Sequence, residues 1–175
     1  GDIQGIADTE FNIGNIYSSQ GNFSDALIHY EISLKNSIAS GNKRDIPGVH
    51  NAIAWIYISL GNFEQALISS LEAVKLAEEL NDEYYLGQIY STLGTIYEEQ
   101  ENYELSLKYN FAALVIFERI GNNEGIPFVK NGIGSVYTKQ SKYTEAVKYL
   151  DQAMNLSIKT GSLEQIKNSY EKFAA

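Results

Sequence analysis

The sequence repeats itself with a period of forty residues, and this repetition constrains the fold more than any other feature. A branched aliphatic residue followed by tyrosine recurs in four copies, as Ile16-Tyr17, Ile56-Tyr57, Ile96-Tyr97 and Val136-Tyr137. No residue is inserted or deleted between the copies. Each copy is therefore expected to form the same small structural unit, with neighbouring units stacked so that they bury a continuous core.

Two columns of small residues lie inside this pattern. Glycine or alanine fills the first column and alanine or serine fills the second: Gly14, Ala54, Gly94 and Gly134, then Ser33, Ala73, Ala113 and Ala153. A glycine inside a helix costs about 1 kcal/mol relative to alanine, so close packing must compensate for it. The columns therefore predict helices that approach each other closely at these positions.

Each repeat is predicted to contain two helices joined by a tight turn. Apolar residues at Ile6, Ile13 and Ile16 keep the spacings of seven and three that mark one face of a helix. Gly21-Asn22 provides the turn, and a second apolar stripe begins at Phe23. A glycine or asparagine, which suits a left-handed cap, follows each second helix at Gly41, Asn81, Gly121 and Gly161. Because the alternation typical of strands is absent from the sequence, the predicted fold class is all-α.

These columns resemble the tetratricopeptide repeat, a unit of about 34 residues with small and aromatic residues at set positions. The residues that match the two helices of that unit are Ile13-Gly14, Tyr17, Ala26, Tyr30 and Ser33. The longer period here is similar to the forty-residue variety of bacterial signalling proteins and polarity adaptors. The resemblance implies a right-handed superhelical solenoid of antiparallel helix pairs, a tetratricopeptide-repeat array formed as a single domain over residues 1–175.

The repeat units are predicted at about 1–40, 41–80, 81–120 and 121–160. Residues 161–175 repeat only the opening of a unit, so they are expected to form either the first helix of a further unit or a capping helix. Because this last copy breaks off, we interpret the chain as an excerpt of a larger protein.

The resemblance also implies where a partner would bind. In this family the first helices line a concave groove, and here the residues carried over to that groove vary between copies while the buried columns stay constant. The predicted peptide-binding groove residues are Phe11, Asn15, Asn51, Trp55, Ser91, Thr95, Glu98, Phe128, Asn131 and Ser135. Asparagine amides pair with a peptide backbone and aromatic side chains anchor it, so an extended or helical segment is the expected ligand. The alternative is that the aromatic residues only pack between helices.

The charge of the chain disfavours several classes of partner. A net charge of −9 repels phosphate backbones, so we predict no nucleic-acid partner. No apolar run approaches the roughly 20 residues of a membrane-spanning helix, so we predict no membrane insertion. Four acidic residues of the third repeat are interpreted as a solvated helix end, with a docking site for a basic segment as the alternative: Glu98, Glu99, Glu101 and Glu104.

Residues that could carry out chemistry do not converge anywhere in the sequence. There is no cysteine, which excludes disulfides, thiolate metal sites and cysteine nucleophiles. His29 and His50 lie on different predicted helices, with no carboxylate at a metal-ligand spacing, and His50 is interpreted as a half-packed structural residue. The sequence therefore predicts no enzyme, no metal site and no cofactor.

The period, the constant core and the variable first-helix face together predict a scaffold module that binds a protein or a peptide. The alternative is a regulatory sensor or dimerisation region that controls an attached effector, such as a nucleotide cyclase or a histidine kinase. A homodimer is a further option. The enrichment in Asn, Ile, Lys and Tyr favours a bacterial source, and we expect a cytoplasmic protein, with the periplasm as the open alternative.

Overall fold

The computed structural model describes the backbone of residues 2–174 and the side chains of residues 2–162, 165–169 and 171–172. Every regular element in that part of the chain is an α-helix, which confirms the all-α fold class. The helices are α1 (Ile3–Ser19), α2 (Phe23–Ser40), α3 (Ile46–Ser59), α4 (Phe63–Leu80), α5 (Glu83–Glu99), α6 (Tyr103–Ile120), α7 (Gly125–Lys139), α8 (Tyr143–Thr160) and α9 (Leu163–Ala174).

Consecutive helices pack against each other as hairpins. Helix α1 packs on α2, α3 on α4, and α7 on α8, and each pair is joined by a turn of a few residues. The second helix of a pair is preceded by asparagine in three repeats, and the Asn62 and Asn102 side chains accept hydrogen bonds from backbone N–H groups of the first turn. Such caps satisfy amide groups that have no partner inside the helix.

Each second helix ends at a residue with left-handed backbone geometry, as the sequence predicts. The φ angle is 76° at Gly41, 69° at Gly121 and 71° at Gly161. Asn81 adopts the same geometry with a φ angle of 53°. Asparagine tolerates this region better than most residues with a side chain, so the single exception in the column keeps the same cap.

The turn inside each hairpin also requires a positive φ angle. Gly21 and Gly61 supply it in the first two hairpins, with φ angles of 77° and 71°. Glu101 and Ser141 take the same position in the next two hairpins, with φ angles of 58° and 59°. Residues with a Cβ are disfavoured in this region, so these two turns carry backbone strain that the first two avoid.

The small-residue columns mark close helix contacts. A Cβ added at Gly14 would lie 2.6 Å from the ring of Tyr30, and one added at Gly134 would lie 2.6 Å from a side-chain carbon of Leu150. Ala73 and Ala113, from the second column, are fully buried. Larger residues at these positions would separate the helices, so the close packing predicted from the glycine and alanine columns is confirmed.

The chain forms two compact halves, residues 1–85 and residues 86–175, and the boundary falls near the start of α5. Buried residues of α2 and α3 form the core of the N-terminal half: Ala26, Tyr30, Val49, Ile53 and Ile56. Buried residues of α6 and α7 form the core of the C-terminal half: Ala113, Leu114, Phe117, Ile126, Val129 and Ile133. Val49 and Ile53 of the first core occupy the same repeat positions as Val129 and Ile133 of the second. A single array over the whole chain stays a prediction.

Two classes of feature are missing from the described residues. None of the helices among them is both long and apolar enough to traverse a lipid bilayer. No group of three or more histidine and acidic side chains in the same residues is arranged to hold a metal ion.

Candidate functional site

Phe11 and Asn15 lie on α1, and both contact Tyr30 of α2. The Phe11 ring is half-buried, with its centroid 5.6 Å from that of Tyr30. The Tyr30 hydroxyl donates a hydrogen bond to Oδ1 of the exposed Asn15 at 2.8 Å. Burial raises the pKa of Tyr30, although a hydrogen bond with Ser18 partly opposes the shift. A buried tyrosine therefore orients an asparagine whose amide faces solvent.

Asn51 and Trp55 lie one turn apart on α3. Asn51 is buried and Trp55 is half-buried, and both side chains make interactions within the protein. Of the four groove residues predicted in this half, Asn15 is the exposed one.

A cavity of about 270 Å³ opens in the N-terminal half beside Phe11. It lies among α1, α2, the start of α3 and the first residues of α5, and is lined by Asp8, Phe11, Asn12, Ser33, Ser37, Asp45, Val49 and Tyr85. Phe11 is a predicted groove residue; Ser37, Asp45 and Tyr85 were not identified by sequence reasoning.

A signal for this cavity is present in the repeat. The position of Ser37 is filled by Ala77, Phe117 and Ser157 in the other copies. In the C-terminal half, a Cβ added at Gly87 or Gly125 would lie 2.6 or 2.7 Å from the Phe117 ring. Phe117 thus packs tightly over Gly87 and Gly125 in the C-terminal half, while Ser37, at the same repeat position, leaves space in the N-terminal half.

Two carboxylates lie at the cavity around the amide of Gln4. Nε2 of Gln4 is 2.7 Å from Oδ1 of Asp8 and 3.4 Å from Oδ2 of Asp45, so one nitrogen reaches both. Nδ2 of Asn42 donates to Oδ2 of Asp45 at 3.0 Å. Within the described residues, neutral amides alone hold these carboxylates, and no cationic side chain forms an ion pair with either.

The inner wall of the cavity carries hydroxyl groups. Ser33 Oγ donates to the backbone oxygen of Ala7 at 2.8 Å. Ser37 is 1% exposed, and its buried hydroxyl has no hydrogen-bond partner. At the opposite wall, burial raises the pKa of Tyr85, and the negative charge of Asp45 adds to the shift. The cavity therefore combines a negative potential with an unused hydrogen-bonding group.

In the C-terminal half, Glu98 of α5 and Ser135 of α7 form a buried network. Glu98 is 6% exposed; its Oε1 accepts a hydrogen bond from Ser135 Oγ at 2.7 Å and lies 3.0 Å from Nζ of Lys139. Burial of the ammonium group lowers the pKa of Lys139. The hydrogen bond and charge of Glu98, together with the charges of Glu99 and Tyr103, outweigh this effect, so the pKa is raised. Glu98 is therefore not part of a solvated acidic surface, unlike the exposed Glu99 beside it.

Helix α9 extends this network. Lys172 Nζ donates to Ser135 Oγ at 3.1 Å, and Ser169 Oγ donates to Oδ1 of Asn131 at 3.0 Å. Asn131 is buried, and its Nδ2 has no hydrogen-bond partner. The structure thus brings together three residues predicted to line the groove, namely Glu98, Asn131 and Ser135, and joins them to α9.

The other predicted residues of the C-terminal half make local contacts. Ser91 Oγ donates to the backbone oxygen of Gln88 at 2.7 Å, and Thr95 Oγ1 donates to that of Ser91 at 3.2 Å. Phe128 is half-buried and packs against the core of this half. These side chains are turned mainly towards the protein, so their role in binding a partner stays a prediction.

Helix hairpins, small-residue columns at their contacts and left-handed caps define a helical-repeat protein. Models of the tetratricopeptide repeat match residues 47–80 and residues 85–159, which together make up more than half of the chain. The chain belongs to the tetratricopeptide-repeat family. It is accordingly a protein-interaction or regulatory module, and the fold is one typically used for binding proteins rather than for catalysis.

Solved structures share the fold at low sequence identity. A Rap protein complexed with competence and sporulation factor matches with a TM-score of 0.88 and 18% identity, over 97% of this chain and 47% of that one. Aspartyl phosphate phosphatase F from Bacillus subtilis matches with a TM-score of 0.85 and 18% identity, over 97% and 45%. A signal transduction ATPase with a tetratricopeptide repeat sensor, from Pyrococcus horikoshii, matches with a TM-score of 0.80 and 21% identity, over 94% and 25%.

The chain spans 66% of the length of a further structural relative, BtubC from P. vanneervenii, and less than half of the three above. No curated protein sequence matches it significantly. These likenesses therefore describe the fold.

Proposed function

We propose that the chain binds a peptide segment of a partner protein on the first-helix face of its N-terminal half. The cavity beside Phe11 is the observation that carries this proposal, because it opens next to a residue that the family resemblance assigns to the binding groove. Asn15, one turn after Phe11 on α1, is exposed, and Trp55 of α3 is half-buried. Concave sites with apolar walls and a few polar groups are typical of ligand-binding surfaces.

The C-terminal half offers less support for binding. Glu98 and Ser135 are buried and hydrogen-bonded to each other, and Asn131 is buried and hydrogen-bonded to Ser169 of α9. A ligand would have to displace these contacts before it could use the same side chains. We therefore assign the principal binding surface to residues 1–85.

A second candidate function is regulation of an attached effector. The P. horikoshii relative carries its tetratricopeptide repeats as the sensor of a signal transduction ATPase. In this role the N-terminal half would bind the same class of ligand, and the response would pass to another domain. The relative from B. subtilis is consistent with a bacterial source.

The binding face can be tested with peptides selected from a phage-displayed dodecamer library on the whole chain. A synthetic peptide from this selection is titrated into the labelled protein, and backbone amide shifts locate it. We expect shifts at Asn15, Trp55 and the cavity residues. Shifts confined to exposed residues of α2 and α4, such as Ile38, would contradict the proposal.

Variants of the same face give a quantitative test. Trp55→Ala combined with Asn51→Ala is expected to weaken the selected peptide by at least about thirtyfold, the 2 kcal/mol typical of an aromatic hot spot, at unchanged helicity. Asn15→Ala should weaken it by about three- to tenfold through the loss of one hydrogen bond. Tyr30→Phe is the matched control for Asn15→Ala. It removes the Tyr30 hydroxyl that donates to Asn15 but leaves the side-chain amide of Asn15 available to the peptide.

A further inference from the structure

We propose that the cavity in the N-terminal half is a specificity pocket for the arginine side chain of a partner peptide. The inference rests on the proposed function, since it assigns a chemistry to part of the same face. It is carried by the two carboxylates, the unpartnered hydroxyl and the aromatic walls that meet in this one cavity.

The carboxylates are placed to share one planar cation. Asp8 and Asp45 both lie within hydrogen-bonding reach of the single Nε2 atom of Gln4. A guanidinium group presents five N–H donors in a flat fork and can therefore bond to both carboxylates at once. A carboxylate accepts more hydrogen bonds than these two now receive, so the Gln4 and Asn42 amides need not leave.

The hydroxyl of Ser37 supplies the second, independent observation. Ser37 is 1% exposed, lines the cavity, and leaves its buried oxygen without a hydrogen-bond partner. An unsatisfied buried hydroxyl costs free energy, and a donor entering the cavity would remove that cost. A guanidinium N–H is such a donor. A ligand carboxylate could accept from the same hydroxyl but would be repelled by Asp8 and Asp45, and an apolar side chain can do neither.

The remaining walls suit a flat cation on an apolar stem. Phe11 and Tyr85 place aromatic rings at the cavity, and Val49 adds an aliphatic surface. Guanidinium groups stack on aromatic faces more readily than ammonium groups do. The volume of about 270 Å³ lies just below the range of about 300–1,000 Å³ that holds drug-sized ligands, which fits a single side chain.

The charge of the surroundings favours the same ligand. The raised pKa of Tyr85 reflects burial first, and then the negative charges of Asp45 and Asp82. The positive charge of Arg44 acts in the opposite direction on the pKa of Tyr85. Arg44 forms no ion pair with Asp8 or Asp45 among the described residues. Arg44→Ala should therefore leave binding unchanged or strengthen it.

The test uses N-acetyl-arginine amide as the probe, titrated into the whole chain and followed by amide shifts. N-acetyl-citrulline amide is the matched neutral analogue, and N-acetyl-lysine amide tests the planar fork. With partly solvated carboxylates we expect a Kd on the order of 1 mM for arginine. The citrulline analogue should bind at least about tenfold more weakly, because its contacts lose their charge assistance. Equal binding of arginine and citrulline would overturn the proposal.

Variants locate the probe. Asp8→Asn and Asp45→Asn should each weaken arginine about tenfold, the loss of one charge-assisted hydrogen bond. Asp25→Asn removes the same charge from an exposed position of α2 and should change little. Ser37→Met should weaken binding, because it removes the hydroxyl and places a longer side chain in the cavity while both carboxylates remain. Methionine, which is more flexible, is preferred to phenylalanine at this position. Phe117 fits in the C-terminal half because Gly87 has no side chain, whereas the counterpart of Gly87 in the N-terminal half is Ala7. Undiminished binding in Ser37→Met, or equal losses in Asp25→Asn and Asp45→Asn, would refute the assignment.

The selected dodecamers separate this inference from the proposed function. Replacing a peptide arginine by citrulline should weaken a dodecamer about tenfold, and Asp45→Asn should cancel the difference. Dodecamers that bind the first-helix face without any preference for arginine would retain the proposed function and overturn the pocket. If arginine amide enters the cavity while all dodecamers map to α2 and α4, the proposed function is overturned and the cavity is a site for free arginine.

Discussion

The first and third repeats, one from each half of the chain, use one repeat position in opposite ways. In the N-terminal half Ser37 leaves a cavity next to α1, and its hydroxyl has no partner. In the C-terminal half Phe117, at the same place in the repeat, packs tightly over Gly87 and Gly125. A repeated framework thus allows packing to be completed in one copy and left open in another, although equivalent helices surround the position in both.

The acidic residues differ in the same sense. Glu98 of the C-terminal half lies 3.0 Å from the ammonium of Lys139 and receives a hydrogen bond from Ser135. Asp8 and Asp45 of the N-terminal half have only neutral amides as partners among the described residues. Buried charges are stable when paired, so the C-terminal network serves folding. The carboxylates of the N-terminal half keep their capacity for an external cation.

The largest expected effect follows from breaking the buried network. Glu98→Ala should lower the free energy of unfolding by about 3 kcal/mol, since it removes the partner of a buried hydroxyl and of an ammonium group. Urea unfolding measures the loss, and hydrogen exchange should place it in residues 86–174. Glu99→Ala is the control, an exposed neighbour whose removal should cost less than about 0.5 kcal/mol. Similar losses in both variants would mean that burial of Glu98 does not matter.

A pair of identical substitutions tests the comparison directly. Ser135→Ala should destabilise the protein by about 1.5 kcal/mol, because Ser135 bonds to a charged group. Ser37→Ala should instead stabilise it by about 1 kcal/mol, because it removes a buried hydroxyl that has no partner. Thermal and urea unfolding of the two variants are compared under the same conditions. The same sign for both variants would remove the distinction between a satisfied half and an open one.

Substitutions in the hairpin turns should change stability by a smaller amount, with opposite signs in the two halves. Ser141→Gly should stabilise the C-terminal half by about 0.5–1 kcal/mol, because glycine relieves a φ angle of 59°. Gly21→Ser places the strained residue in the N-terminal half, where φ is 77°, and should destabilise it by a similar amount. Both changes are read by urea unfolding. Loss of stability in Ser141→Gly would show that the serine side chain compensates for the strain.

The helices and their caps could be predicted from the sequence because their signals are local. The glycine and asparagine column fixes helix ends through backbone geometry at one residue, as Gly41 and Asn81 demonstrate. The small columns predict close contacts because a glycine such as Gly14 has no other physical reason to stand inside a helix. The periodicity strengthens these predictions, because the same signals for helix ends and close contacts recur in each of the four copies.

The candidate site was less predictable because it depends on pairs of residues far apart in the chain. Glu98 and Ser135 are 37 residues apart, so their hydrogen bond cannot be inferred from either helix alone. The periodic pattern also assigns a face without stating what covers it. Ile16 is 56% exposed, whereas its counterparts Ile56 and Val136 are buried. The repeat pattern predicts the same apolar face in all three copies, but it does not indicate in which copies another helix lies against that face.

The smallest expected effect concerns acid sensitivity, and it separates the halves through one repeat position. This position holds His50 in the second repeat and Lys130 in the fourth, while Glu10 and Tyr90 fill it in the first and third. Burial lowers the pKa of His50 from 6.5, and the charge of Glu72, with its Oε2 at 3.4 Å from Nδ1, only partly opposes the shift. The unfolded chain therefore takes up a proton on His50 at a higher pH than the folded chain does.

Stability should accordingly fall as the pH decreases through 6.5, and this contribution should stop changing below the folded pKa of His50. His50→Gln should make the loss between pH 7.5 and 5.5 smaller. Glu72→Gln should make it larger, because removing the carboxylate leaves burial unopposed. Urea unfolding across this pH range measures both slopes, and hydrogen exchange should place the difference in residues 2–85. A His50→Gln slope equal to that of the parent protein would mean that the unfolded and folded chains protonate His50 alike, and that burial at this position is not selective for the neutral ring.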